Sequence, residues 1–124
     1  MVENENWAEE IGKSAYKSIA EMVEALDGED EENARETIQE DPLEIQVRSD
    51  WYSPGDTENA KPAEYKILLG TGGPASRIVG DLDEYAQPTR ARLQVQDWGK
   101  PWTEYFDVDR VVLLRYAQCF YFGD

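Results

Sequence analysis

Carboxylates are the most numerous reactive groups in this chain, and their close pairs include Asp81, Asp83 and Glu84, and Asp107 with Asp109. Paired at such spacing they suit the acid and base of a glycosidase, or the oxygen ligands of a calcium ion. Neither pattern is carried through. Asp81-Leu82-Asp83 does not run on into the glycine and distal glutamate of a calcium loop, and 27 Asp and Glu in 124 residues bring carboxylates together by number alone. Cys119 is the single cysteine, so there is no internal disulfide and no cysteine zinc cluster. A nucleophilic thiol needs a base, and the chain has no histidine. That absence removes Ser/His/Asp and Cys/His mechanisms, histidine metal sites and the usual proton shuttle at neutral pH. Cys119 therefore reads as a small core residue. Gly70-Thr71-Gly72-Gly73-Pro74 invites comparison with a phosphate-binding loop, because clustered amides cradle anions. It lacks the Gly-Lys-Ser/Thr of a P-loop and precedes a strand pattern, so a hairpin turn is expected. No catalytic residue, metal or cofactor is expected, and a carboxylate-and-metal hydrolase is the weakest alternative.

Binding is better supported, and the charge says where. Lys and Arg number 12, giving a net charge of -15 and a predicted pI near 4.2. Direct nucleic-acid binding is not expected, since phosphates are neutralised by cations. Residues 1 to 60 hold 18 of the acids against Lys13, Lys17, Arg35 and Arg48, whereas 61 to 124 are nearly balanced. Such an excess exceeds what solubility needs and costs self-repulsion. It fits a surface that presents carboxylates to a basic partner, most often a nucleic-acid-binding groove, with fast, salt-sensitive association. The bland alternative is a solvated acidic face. The candidate carboxylates are Glu9, Glu10, Glu21, Glu24, Glu29, Asp30, Glu31, Glu32 and Glu36. Among the loop aromatics Trp51, Tyr52, Tyr85, Trp98, Trp102 and Tyr105, the three tryptophans are candidate anchors, because tryptophan buries much area for little rotamer entropy. The same rings could simply cover the open end of a small sheet.

The elements that would carry these groups follow from periodicity. Trp7, Ile11, Ala15, Ile19, Met22 or Val23 and Leu26 recur every three to four residues, the mark of an amphipathic helix. Asp27-Gly28 is expected to stop it through a left-handed glycine cap. A second helix is predicted from about Glu31 to Glu40, with only Ala34 and Ile38 to anchor it and Pro42 to close it. From Leu43 the period becomes two. Leu43, Ile45 and Val47 predict a half-buried strand; Tyr65, Ile67 and Leu69, then Ile78 and Val79, predict a hairpin over 64 to 80; Ala91, Leu93 and Val95 predict another strand. A loop of about a dozen residues separates the first two strands, a length usually tied to function or mobility. Asp107 is the expected N-cap of a C-terminal helix of about a dozen residues, with a final strand the alternative. The fold class is α+β: acidic helices, an antiparallel sheet of about four strands, and a C-terminal helix on one face. A single domain is expected, with residues 1 to 41 its acidic helical part and 42 to 124 its sheet and last helix.

The chain from Trp51 onward resembles a group of small phage and prophage proteins. The resemblance rests on Trp51-Tyr52-Ser53-Pro54-Gly55, Ile67-Leu68-Leu69 with Thr71-Gly72-Gly73-Pro74-Ala75, Arg77-Ile78, and Gln96-Asp97-Trp98-Gly99 with Pro101-Trp102-Thr103. It brings no catalytic residues. It implies a mobile-element origin and a bacterial cytoplasm, and small acidic phage proteins without an enzymatic motif look like host-defence inhibitors, including anti-CRISPR proteins. The expectation is a stoichiometric inhibitor that docks on a basic nucleic-acid-handling host protein or nucleoprotein complex, such as a CRISPR effector. The alternative is a phage accessory or assembly protein that binds another phage protein through the sheet and its Trp-rich loops. No membrane association is expected, because the start is acidic and no apolar run approaches a membrane span.

Overall fold

The structure is a computed structural model; it describes residues 2–71, 74–97 and 99–123. The element order is α1 (Val2–Ala25), α2 (Glu31–Glu40), β1 (Glu44–Ser49), β2 (Pro62–Gly70), β3 (Ala75–Asp81), β4 (Arg92–Gln96), β5 (Thr103–Tyr105) and α3 (Arg110–Ala117). The strands form one antiparallel sheet in chain order β1-β2-β3-β4-β5. This is the expected α+β arrangement with five strands in place of about four. The extra strand, β5, has three residues and is too short to show an alternation.

Pairing across the sheet lines up Ile45, Ile67, Ile78, Leu93 and Tyr105 in one row, one residue from each strand. Successive strand residues point to opposite faces, so this row defines the apolar face. Helix α1 crosses it, contacting β3, β4 and β5 and burying Ile19 and Val23, with Leu26 buried just past its end. The approach is close at one point: a Cβ on Gly12 would lie within the Tyr105 ring. Residues at spacings of three and four, Ile19, Val23 and Leu26, are what hold α1 down.

Helix α2 matches its predicted bounds. Asp30 accepts a hydrogen bond from Asn33 N at 3.1 Å, the capping expected of an aspartate there. Its two apolar residues suffice as anchors: Ala34 and Ile38 are buried, and Gln39 Nε2 donates to the Cys119 carbonyl at 2.9 Å. Three expectations need correction. Gly28 is not a left-handed cap; it has no positive φ, and α1 ends instead in tight turn bonds, Leu26 N to Val23 O, Asp27 N to Glu24 O and Gly28 N to Ala25 O. Asp109, not Asp107, caps α3, accepting from Val111 N at 2.9 Å, and α3 has eight residues, not a dozen. The remainder, Phe120 to Gly123, is neither helix nor strand; Phe122 packs on Tyr65 with ring centroids 4.9 Å apart. Last, β1 is not half-buried: Leu43, Ile45 and Val47 are all exposed, because the helical layer lies over the strands beyond it.

Gly80 marks a second close approach. A Cβ there would strike the Arg90 carbonyl, which also accepts the Tyr65 hydroxyl at 2.6 Å. Burial, then the charge of Asp81, pushes the Tyr65 phenol well above its ordinary pKa. Among the described residues no helix is long and apolar enough to cross a membrane.

Candidate functional site

The acidic helices deliver their carboxylates to solvent. Glu9 and Glu10 lie exposed near the start of α1, and Glu21 and Glu24 lie exposed in its last two turns. With a rise of about 1.5 Å per residue the two groups are separated by roughly 15 Å or more along the helix. Glu29, Asp30, Glu31, Glu32 and Glu36 crowd the turn into α2 and its first turns, all exposed. The nine predicted carboxylates therefore form a dense cluster where α1 hands over to α2, plus an outlying pair. Two members of the cluster also have local work. Asp30 caps α2, and Glu31 pairs with Arg35 at 3.4 Å across one turn. Between the helices lies an open groove of about 460 Å³, with Glu21, Asp30 and Asn33 on its rim and Met22, Ala25 and Ala34 in its wall. Asp27, beside the cluster, is bound end-on by Arg115 at 2.9 and 3.0 Å. That guanidinium, by hydrogen bond first and by charge second, holds the Asp27 carboxyl below its ordinary range.

Trp51 and Trp102 do not join this cluster. Trp51 stands fully exposed just beyond β1, beside a groove of about 720 Å³ shared with Tyr52, Pro54, Arg48 and Glu64. Trp102 is partly covered, its ring stacked under the Arg77 guanidinium at 4.0 Å. Trp98 lies outside the described residues.

Sequence reading missed the second face of the sheet. The rows alternate to the apolar one are Gln46, Lys66, Val79 and Arg92; Arg48, Glu64 and Asp81; and Glu44, Leu68, Arg77, Gln94 and Glu104. From these rows Gln46, Lys66, Val79, Arg92, Arg48, Glu64, Arg77 and Gln94 line an open groove of about 510 Å³. Its charges are largely paired in place, Arg48 with Glu64 at 2.8 Å and Arg92 and Arg110 with Glu104 at 3.9 and 3.7 Å. Arg77 has no carboxylate partner among the described residues: its Nε donates to Gln94 Oε1 at 2.8 Å, and its partners are a neutral amide and a ring. Burial draws its pKa down, as expected of a guanidinium taken part-way from water without a carboxylate. The signal was present in the polar residues Arg92, Gln94 and Gln96 between buried Leu93 and Val95, but assembling the face needs the cross-strand register.

Among the described residues no three acidic or cysteine side chains converge as a metal site. Cys119 is buried, and burial raises its thiol pKa, which disfavours the thiolate. No family model, curated protein sequence or solved structure matches the chain.

Proposed function

We propose that this chain is a non-enzymatic inhibitor that lays its α1–α2 hairpin on the basic, nucleic-acid-binding surface of another protein, and so competes with DNA or RNA for that surface. The observation that carries this reading is the carboxylate cluster itself: residues 1–40 hold thirteen acids against Lys13, Lys17 and Arg35, and every predicted member from Glu9 to Glu36 is exposed. A phosphate-binding groove rewards such a surface electrostatically at contact and at long range. In this proposal the inhibitor is encoded by a phage or prophage, and its partner is a host defence nucleoprotein of the CRISPR-effector kind, met in a bacterial cytoplasm.

The test is capture of partners from bacterial lysate at low and high salt, with identification by mass spectrometry, followed by reversal of Glu29, Asp30, Glu31 and Glu32 to lysine. A nucleic-acid-handling complex that added DNA displaces is expected, and the reversed protein should bind it at least about tenfold more weakly with a flatter salt dependence. Unchanged affinity after reversal ends the mimicry reading.

A second reading has its own observation, the fully exposed Trp51 beside Tyr52. An exposed tryptophan next to a groove is an anchor in search of a pocket. In this reading the chain is a phage accessory protein that holds another phage protein through the sheet, and Trp51→Ala weakens capture more than the charge reversal does.

A further inference from the structure

The outer side of the edge strand β1 is open, and its one register irregularity, between Arg48 and Ser49, lies at its C-terminal end. The strand is six residues long with no lysine and no proline, it pairs only with β2, and Ile45 and Val47 stay exposed among the described residues. Natural edges of this length are normally guarded by inward charges, prolines or a covering element. The sequence of the strand, Glu44-Ile45-Gln46-Val47-Arg48, is self-complementary when read against itself in the opposite direction. Centred on Gln46, an antiparallel copy sets Glu44 opposite Arg48, Ile45 opposite Val47 and Gln46 opposite Gln46.

We propose that the outer edge of β1 is a homodimerisation surface, on which two copies of this chain pair about a two-fold axis through Gln46 and join their five-stranded sheets into one continuous sheet. Opposed residues in an antiparallel pair point to the same face, with Cβ atoms about 5 Å apart. The pairing therefore joins Ile45 and Val47 of both copies into one apolar patch on the helical side, and makes two Glu44–Arg48 ion pairs on the open side. Arg48 can serve both neighbours. It binds Glu64 through Nε and Nη2, which leaves Nη1 to reach across the axis. Glu44 has no cationic partner in its own chain among the described residues.

Charge selects this register over its neighbours. Amide groups along a strand point outward at every second residue, so the pairing can slide only in steps that keep a residue on the axis. Centring on Ile45 sets Glu44 against Gln46 and loses both ion pairs. Centring on Val47 sets Glu44 against Asp50, a like-charge contact that is unfavourable. The net charge of -15 on each copy opposes association, but at about 0.15 M salt repulsion beyond roughly 8 Å is screened while the contacts at the axis are not. The axis stands perpendicular to the sheet, so both open faces lie on one side and both helical layers on the other. This surface is separate from the acidic hairpin, and the proposal stands if the inhibitor reading fails.

Sedimentation equilibrium at physiological salt tests it with the wild type and two exchanges. The wild type is expected to dimerise reversibly. Glu44→Lys sets lysine against arginine twice, and Arg48→Glu sets glutamate against glutamate twice; each should weaken dimerisation at least about tenfold. In an equimolar mixture of the two variants, the lysine introduced in one copy faces the glutamate introduced in the other, and the unaltered Arg48 of the first faces the unaltered Glu44 of the second. Both ion pairs are thereby restored, one of them reversed, and the heterodimer should be about as tight as the wild-type dimer. Circular dichroism confirms that each variant is folded. A wild type monomeric up to its solubility limit, a dimer indifferent to Glu44→Lys, or folded variants that fail to form the heterodimer would each overturn the proposal.

Discussion

Ile45 and Val47 of β1 and Leu93 and Val95 of β4 lie on the same side of one sheet, the first pair 37% and 46% exposed and the second pair at 0%. Both strands alternate apolar and polar residues, and the local pattern does not tell them apart. The difference comes from what lies above. α1 runs over β3, β4 and β5, and α3 also contacts β4. Alternation selects the face a side chain occupies, and the length and placement of a helix elsewhere in the chain decide whether that face is dry.

The sharpest way to break this comparison is to delete the same kind of group from both strands. Leu93→Ala should cost about 2–5 kcal/mol, the range for a fully buried leucine. Val47→Ala should cost less than about 1 kcal/mol, because the valine is already about half in water in the folded state. Urea denaturation at low protein concentration measures both. Equal losses would mean that β1 is covered after all.

Gly12 sharpens the comparison from the side of the cover. On helix propensity alone, Gly12→Ala should stabilise α1 by about 1 kcal/mol. Here the new methyl would enter the Tyr105 ring at the place where α1 meets the far end of the sheet. The substitution should instead destabilise by about 1–3 kcal/mol, the usual effect of overpacking. A rise in melting temperature would show that α1 sits higher off the sheet than its contact with Tyr105 implies.

The same division between pattern and cover governs what was legible in the sequence. Helix α2 was readable in its approximate bounds, because its anchors Ala34 and Ile38 and its terminator Pro42 are local signals. Strands β1 to β4 were readable from their alternation, and the carboxylate cluster from its contiguity in the chain. The exposure of β1 was not, since it depends on where α1 ends up. Nor was the choice of Asp109 over Asp107 as the cap of α3. Both are good capping residues, and the decision falls to packing: Asp109 N donates to the Tyr16 hydroxyl of α1 at 3.2 Å. The difference between Trp51 and Trp102 was equally hidden. Both flank strands, but Arg77 comes from β3 to cover Trp102, while Trp51 stands in solvent.

Tyr116 marks the line where the cover stops. Its ring is fully buried, while its hydroxyl donates to Asp41 Oδ2 at 2.7 Å, just before the chain turns into β1. Burial, then the bond to Asp41 and its charge, pushes the Tyr116 phenol far above its ordinary range. The hydroxyl is thus held protonated as the donor to Asp41 at neutral pH. Tyr116→Phe should cost about 1 kcal/mol, a single hydrogen bond whose acceptor can turn to water. A thermal melt checks it; a loss several times larger would mean that the bond also holds α2 and β1 in place.

The smallest effect lies wholly outside the cover. Arg115 on α3 grips Asp27 beyond the end of α1, with both side chains well exposed to solvent. The folded-state pKa of Asp27 is lowered from 3.8, so the carboxylate's contribution is present above that value and fades as the pH falls through the lower, folded one. Wild type should therefore exceed Asp27→Asn in melting temperature near neutral pH, by little, because exposed pairs are screened and pay the entropy of fixing two flexible side chains. The margin should close as the pH falls below 3.8 and through the lowered folded-state pKa, and shrink in high salt at neutral pH. A margin that survives both treatments would mean that Asp27 contributes through the geometry of the turn after α1, and the covered region would then extend past Leu26, the buried residue just beyond that helix.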